Sequence, residues 1–140
     1  MAFREKMVWA SFVTTLLVWG GYFGVVIVKA ASGDTYGPLL FWLFIAATVA
    51  QTLMLTAVAV IAAIMAPGDA NAAPDERDRT LGQRASGIAY FAVLVAIAAV
   101  IFWMHVGLRG TNVIFALIGV FILGETARFG AKAIGYRVGG

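Results

Sequence analysis

Four long apolar stretches alternate with short polar stretches along the chain. They cover residues 7–28, 38–66, 85–108 and 111–132, and the first three contain no Asp, Glu, Lys or Arg. About 20 apolar residues in an α-helix are enough to cross the hydrocarbon core of a bilayer. Backbone groups in lipid need partners within the protein, and four such spans are too few for a β-barrel. The pattern therefore predicts an all-α integral membrane protein with four transmembrane helices.

The composition argues against the common classes of soluble protein. The 140 residues are 62% hydrophobic and 12% charged, and the mean hydropathy is +0.94. A soluble domain is about 45–50% apolar and about 25% charged, and a chain this short has no core that could bury so much apolar surface. The net charge of +3 comes from basic residues that flank the apolar stretches, so we expect no direct nucleic-acid partner. The absence of cysteine excludes disulfides, thiolate metal sites and cysteine nucleophiles.

Lysine and arginine are distributed unevenly between the two ends of the predicted helices. Eight of the ten lie in the N-terminal tail, in the loop 67–84 or at the C-terminal end, whereas the opposite side has only Lys29 and Arg109. Because basic residues favour the cytoplasmic side of a membrane, both termini and the loop are predicted to be cytoplasmic. Two antiparallel hairpins joined by this loop would form a four-helix bundle, a single transmembrane domain over residues 1–140.

The loop 67–84 contains a dense run of charged residues. Proline favours the first turn of a helix, and acidic residues there interact favourably with the helix dipole. The third helix is therefore predicted to begin near Pro74, before it enters the membrane. Two interpretations of these charges are open. They can mark the helix start and keep the loop on the cytoplasmic side, or they can form a docking surface for a cytoplasmic partner. The candidate docking residues are Asp75, Glu76, Arg77, Asp78, Arg79 and Arg84.

Three short motifs in this chain resemble a family of small four-helix bacterial inner-membrane proteins. The motifs are Phe3-Arg4-Glu5-Lys6, the run from Asp75 to Arg79 followed by Arg84 and Tyr90, and Tyr136-Arg137-Val138-Gly139. The family has no assigned function, and some of its members are encoded beside small DNA-binding regulators. The resemblance implies a location in the bacterial inner membrane and a non-enzymatic role in signalling, and it supplies no active-site residues.

Polar side chains within the apolar stretches are functional candidates, because placing them in lipid is unfavourable. Glu125 lies about 21 Å into the fourth helix and shares a helix face with Arg128. These two residues could join polar residues of the other helices in one buried cluster. The other members are Gln51, Thr48, Thr52, Thr14 and Tyr90. The alternatives are a Glu125–Arg128 pair with threonines bonded to their own helices, a site for an ion, a proton or a ligand, and a contact with a partner.

The remaining signals favour structural roles. The only histidine, His105, falls at the outer end of the third helix, across the membrane from the acidic residues. The sequence therefore predicts no catalytic constellation, metal site or cofactor. Gly20 and Gly24 have the spacing that lets membrane helices approach closely, either inside the bundle or toward another membrane subunit.

The sequence leads to one main functional hypothesis and two alternatives. The main hypothesis is a non-catalytic membrane protein that acts through partners, as an accessory or assembly subunit of a membrane complex or as a membrane-bound regulator. The expected partners are the lipid bilayer and either other membrane subunits or further copies of the chain. The first alternative is an oligomeric transporter or channel subunit that uses Glu125, and the second is a binder of lipid, quinone or pigment.

Overall fold

The computed structural model describes residues 3–33 and 38–139, except for the side chain of Asp69. The first predicted outer turn, around residues 34–37, lies outside this range. The described helices are α1 (Phe3–Ala31), α2 (Pro38–Met65), α3 (Pro67–Asn71), α4 (Glu76–Val106) and α5 (Thr111–Val138). Four of them, all but the short α3, are long and apolar enough to cross a membrane. The described part of the chain is therefore all-α, and its four long helices indicate a multi-pass membrane protein.

Much of the segment 67–84 is helical, because α3 and the first turns of α4 lie within it. The N-cap of α4 is Asp75, whose carboxylate Oδ1 accepts a hydrogen bond of 2.7 Å from the backbone N–H of Asp78. This bond satisfies one of the free N–H groups at the helix start. The helix consequently begins two residues after Pro74.

The connection between α4 and α5 is a tight turn that depends on glycine. Gly107 has a φ of 135° and Gly110 a φ of 61°. Residues with a Cβ rarely adopt these angles, whereas glycine does so without steric cost. The two helices can therefore lie side by side directly after the turn.

The four long helices contact one another in the order α2, α1, α5, α4. The contact between α4 and α5 is the most extensive, and α1 lies against both α2 and α5. Within the described part of the chain, no Cα atom of α2 comes within 8 Å of one in α4 or α5. The ring of contacts in a closed four-helix bundle is thus open between α2 and α4 in one copy of the chain.

The largest buried cluster lies where α1, α2 and α5 meet. Its members are Trp19, Tyr22, Val26 and Leu40, and partly buried side chains of α2 and α5 pack around them. The Trp19 and Tyr22 rings meet edge to face, with their centroids 5.6 Å apart. This geometry adds about 0.5–1.5 kcal/mol to the stabilisation by burial alone.

The α4–α5 contact depends on glycine in α5. A Cβ at Gly124 would lie 2.5 Å from Cγ2 of Val93, and one at Gly135 would lie 2.5 Å from Cδ2 of Leu81. Small residues allow membrane helices to approach this closely, since dispersion contacts then replace contacts with lipid. These two glycines therefore determine the distance between α4 and α5.

Gly20 and Gly24 do not have the packing role that the sequence predicts for them inside the bundle. Both are exposed, and a Cβ at either position would meet no atom of another element within 4 Å. Neighbouring helices pack against α1 through other faces, so this prediction is wrong for contacts within one chain. Contact with another membrane subunit stays a prediction.

Candidate functional site

Three helix ends meet at Asp78, in the first turn of α4. The Nε atom of Arg4, at the start of α1, lies 3.2 Å from Oδ2 of Asp78. The hydroxyl of Tyr136, near the end of α5, donates a hydrogen bond to Oδ1 of the same carboxylate. We call these three residues the Arg4–Asp78–Tyr136 junction. It joins elements that are far apart in the sequence.

The carboxylate of the junction is largely shielded from solvent. The Asp78 side chain is 14% exposed and that of Arg4 is 34% exposed. An ionised carboxylate in such surroundings needs partners, and here a guanidinium supplies an ion pair and a hydroxyl supplies a charge-assisted hydrogen bond. Arg4 also donates from Nη2 to the carbonyl oxygen of Ala72 at 2.5 Å. The segment between α3 and α4 is therefore attached to the same network.

Two further arginines hold the last turn of α5. Arg77 donates from Nη2 to the carbonyl oxygen of Tyr136 at 3.1 Å, and its guanidinium lies 5.9 Å from the centroid of the Tyr136 ring. The Arg137 guanidinium lies 5.5 Å from the ring centroid of Trp9 in α1. Both contacts have the geometry of cation–π interactions. The end of α5 is thus fastened to α4 on one side and to α1 on the other.

The six predicted docking residues fall into two groups. Asp75 caps α4, Asp78 belongs to the junction and Arg77 is bonded to Tyr136, so these three have partners inside the chain. The other three have exposed side chains with no hydrogen bond or ion pair to any described residue. They are Glu76, Arg79 and Arg84. The structure therefore gives half of the predicted docking residues partners within the chain, although Asp75 and Arg77 stay exposed.

The predicted pair between Glu125 and Arg128 forms. Nη2 of Arg128 lies 2.6 Å from Oε2 of Glu125, and the side chains are 45% and 33% exposed respectively. The Arg128 guanidinium also lies 4.8 Å from the ring centroid of Phe129. Glu125 and Tyr90 line a common cavity of about 350 Å³ between α4 and α5. The negative charge of Glu125 is consequently balanced within its own helix.

The single polar cluster predicted around Glu125 does not form. Gln51 donates from Nε2 to the Thr15 hydroxyl at 2.9 Å and so links α2 to α1. Three predicted members donate instead to backbone carbonyls one turn earlier in their own helices; they are Thr14, Thr48 and Thr52. Glu125 stays apart from these groups, because among the described residues α2 and α5 have no Cα atoms within 8 Å of each other and their side chains meet only in the cluster around Trp19 and Tyr22. The polar residues therefore divide into an α1–α2 group and an α4–α5 group.

The buried polar atoms and the metal-ligating side chains of the described residues form no cluster that could bind a metal ion. Oε1 of Gln51 and Nε1 of Trp9 are buried and have no hydrogen-bond partner there. Within residues 3–33 and 38–139, no group of three His, Cys, Asp or Glu side chains has an arrangement that could hold a metal ion. Nδ1 of His105 lies 2.8 Å from the Ile101 carbonyl oxygen of its own helix.

The junction draws one residue from each of the three sequence motifs. Arg4 belongs to the N-terminal motif, Asp78 to the charged run before α4 and Tyr136 to the C-terminal motif. Asp78 was assigned to a docking surface from the sequence, and the junction was not predicted. The signal that could have indicated it was the presence of a cation, an acid and a tyrosine, one in each of the three motifs. Comparisons with protein-family models, with curated proteins and with solved structures find no match to this chain.

Proposed function

We propose that this chain is a non-catalytic membrane protein that acts through partners, as an accessory or assembly subunit of a membrane complex or as a membrane-bound regulator. The observation that supports this function best is the Arg4–Asp78–Tyr136 junction. It holds three helix ends together beside Glu76 and Arg79, which are exposed and unbonded. Docking on a surface that is already ordered loses little conformational entropy. Such a surface is therefore well suited to binding a partner.

The proposed setting is the inner membrane of a bacterium, with both termini and the junction in the cytoplasm. In this orientation, α1 and α2 form one antiparallel hairpin, and α4 and α5 form a second. Eight of the ten basic residues then lie on the cytoplasmic side, as expected for membrane proteins. Helix α4 has 31 residues and is about 45 Å long, whereas the hydrocarbon core is about 30 Å thick. Its first turns therefore extend beyond the lipid.

The chemistry of the partner follows from the charges on these first turns. With the N-cap included, three arginines and two acids have exposed side chains there: Arg77, Arg79, Arg84, Asp75 and Glu76. The surface is positive overall, and complementary charge directs association and specificity. We therefore expect a partner that presents an acidic surface to the cytoplasmic end of α4.

Site-specific crosslinking in native membranes tests this function. A photo-reactive residue at Arg79 should crosslink to a defined protein, and the same residue at Arg109, near the opposite end of α4, should not give that product. Charge reversal by Arg79→Glu should reduce co-purification of the partner about tenfold, whereas Arg109→Glu should leave it unchanged. A chain that purifies only by itself, with crosslinks from position 79 to lipid alone, would contradict the proposal.

A transporter or channel subunit that uses Glu125 is the alternative function. The observation that favours it is the cavity lined by Tyr90 and Glu125. The pair with Arg128 weighs against it, because a coupling acid must exchange partners during transport. Ion or proton flux in proteoliposomes decides between the two functions: flux that is present in the wild type and abolished by Glu125→Gln would establish transport.

A further inference from the structure

A second feature of the α4–α5 pair is an open groove of about 730 Å³. Small residues of both helices, including Ala85 and Ala131, line it together with the larger side chains Ile88 and Ile134. Arg84 is the only charged side chain in its lining, among the described residues. The groove therefore combines an apolar channel with a single cation.

The position of Arg84 along α4 corresponds to a lipid headgroup. It lies 22 residues before the helix end at Val106, which is about 33 Å along the axis and matches the thickness of a hydrocarbon core, about 30 Å. On α5 the groove extends from Ala127 to Val138, about 17 Å. Because Gly135 packs against Leu81, only the part from Ala131 to Ala127 lies on the membrane side of Arg84. This part is about 6 Å long, so it has room for the first carbons of one acyl chain.

A smaller polar pocket of about 180 Å³ adjoins the groove. It is lined by Glu76, Arg77, Thr80, Leu81 and Arg84, and it shares Leu81 and Arg84 with the groove. Arg84 thus stands where an apolar site meets a polar one. An amphipathic ligand can place its charged group against the Arg84 side chain, with its apolar part in the groove and its polar part in the pocket.

The charges of the polar pocket select the headgroup. Two arginines face one glutamate, Glu76, so the pocket has a net charge of +1. Arg77 is already bonded to the Tyr136 carbonyl, whereas Arg84 has no partner among the described residues. The Thr80 hydroxyl donates to the carbonyl oxygen of Glu76 and is left to accept a hydrogen bond from a headgroup hydroxyl. A headgroup with one net negative charge can pair with Arg84, and its free hydroxyls can bond to Glu76 and Thr80.

We propose that the α4–α5 groove binds an acidic phospholipid with one net negative charge. Its phosphate contacts Arg84, its hydroxylated headgroup occupies the polar pocket beside Glu76 and Thr80, and the first carbons of one acyl chain lie in the groove between Ala131 and Ala127. Basic pockets between transmembrane helices on the cytoplasmic side recognise acidic headgroups in this way. The site contains no residue of the Arg4–Asp78–Tyr136 junction, although it shares Glu76, Arg77 and Arg84 with the surface proposed for the protein partner. Lipid binding is measured on the chain alone, so its outcome does not depend on that partner.

Electron paramagnetic resonance with spin-labelled lipids tests the site in the full chain. The protein is reconstituted in phosphatidylcholine bilayers with labelled phosphatidylglycerol, phosphatidylcholine or phosphatidylethanolamine. The association constant of motionally restricted phosphatidylglycerol should exceed that of phosphatidylcholine about fivefold, the contribution of one arginine near an acidic headgroup. Arg84→Gln should reduce this ratio to about one, and Arg84→Lys should keep most of it, because the charge is retained.

Arg79→Gln is the matched control, since Arg79 is an unbonded arginine of the same helix that does not line the groove. It should leave the ratio unchanged. A second variant, Ala131→Leu, fills the groove while keeping Arg84, and it should lower the ratio as well. The proposal is overturned if Arg84→Gln keeps the wild-type ratio, if Arg79→Gln lowers it equally, or if phosphatidylethanolamine is preferred to phosphatidylglycerol.

Discussion

Replacing Asp78 by alanine should destabilise the whole chain, because three helix ends depend on its carboxylate. The substitution removes the hydrogen bond from the Tyr136 hydroxyl and the ion pair with Arg4. It also leaves the Tyr136 hydroxyl and the Arg4 guanidinium without their acceptor. The expected effect is a lower free energy of unfolding, with α4 separating more easily from α1 and α5.

The magnitude can be worked out from the two contacts. A hydrogen bond to a charged group contributes about 1.5–3 kcal/mol. The ion pair contributes about 0.5 kcal/mol, since Arg4 is 34% exposed and solvent screens the interaction. We therefore expect Asp78→Ala to lower the free energy of unfolding by about 3 kcal/mol, Tyr136→Phe by about 1.5 kcal/mol and Arg4→Gln by about 0.5 kcal/mol.

Equilibrium unfolding of the full chain in mixed detergent micelles, followed by circular dichroism, measures these differences. The double variant Asp78→Ala/Tyr136→Phe should be more stable than the sum of the single effects implies, by about 1.5 kcal/mol, because both changes remove the same bond. Glu76→Ala is the matched control: it lies in the same helical turn but has no partner, so its effect should stay within about 0.5 kcal/mol. Equal effects of Asp78→Ala and Glu76→Ala, or the absence of coupling to Tyr136, would refute the reasoning.

Three further predictions concern packing, the intramembrane pair and topology. Gly124→Ala should destabilise the chain by about 1–3 kcal/mol through overpacking against α4. Gly20→Ala should be nearly neutral, because a Cβ there lies in open space. Equal effects of the two variants in the same unfolding assay would contradict this prediction. The double variant Glu125→Gln/Arg128→Leu should change the free energy of unfolding by less than about 1 kcal/mol, since exchanging an ion pair for neutral groups is often neutral. Loss of membrane insertion in a protease-protection assay would contradict this prediction. Reporter domains fused to the C-terminus should be active in the cytoplasm only, and periplasmic activity would exclude the proposed orientation.

Features that depend on nearby residues could be predicted from the sequence. Each long helix follows from more than 20 consecutive residues of high hydropathy, which is sufficient for a membrane span whatever the rest of the chain does. The Glu125–Arg128 pair is likewise local, because a spacing of three residues places both side chains on one face of the helix. The start of α4 within two residues of Pro74 was likewise predicted from local signals, the proline and the acidic first turn, whereas the cap by Asp75 was not predicted.

The neighbours of each helix were decided only by the tertiary structure. In a soluble protein the apolar face of a helix identifies its buried side, but lipid is as apolar as a protein core, so an apolar face gives no such information in a membrane. For this reason the sequence could not show that Gly124 packs against α4 while Gly20 lies in open space. Nor could it show that Asp78 faces Arg4 and Tyr136 rather than a partner, because these contacts join residues more than 50 positions apart and exist only once α1, α4 and α5 have assembled.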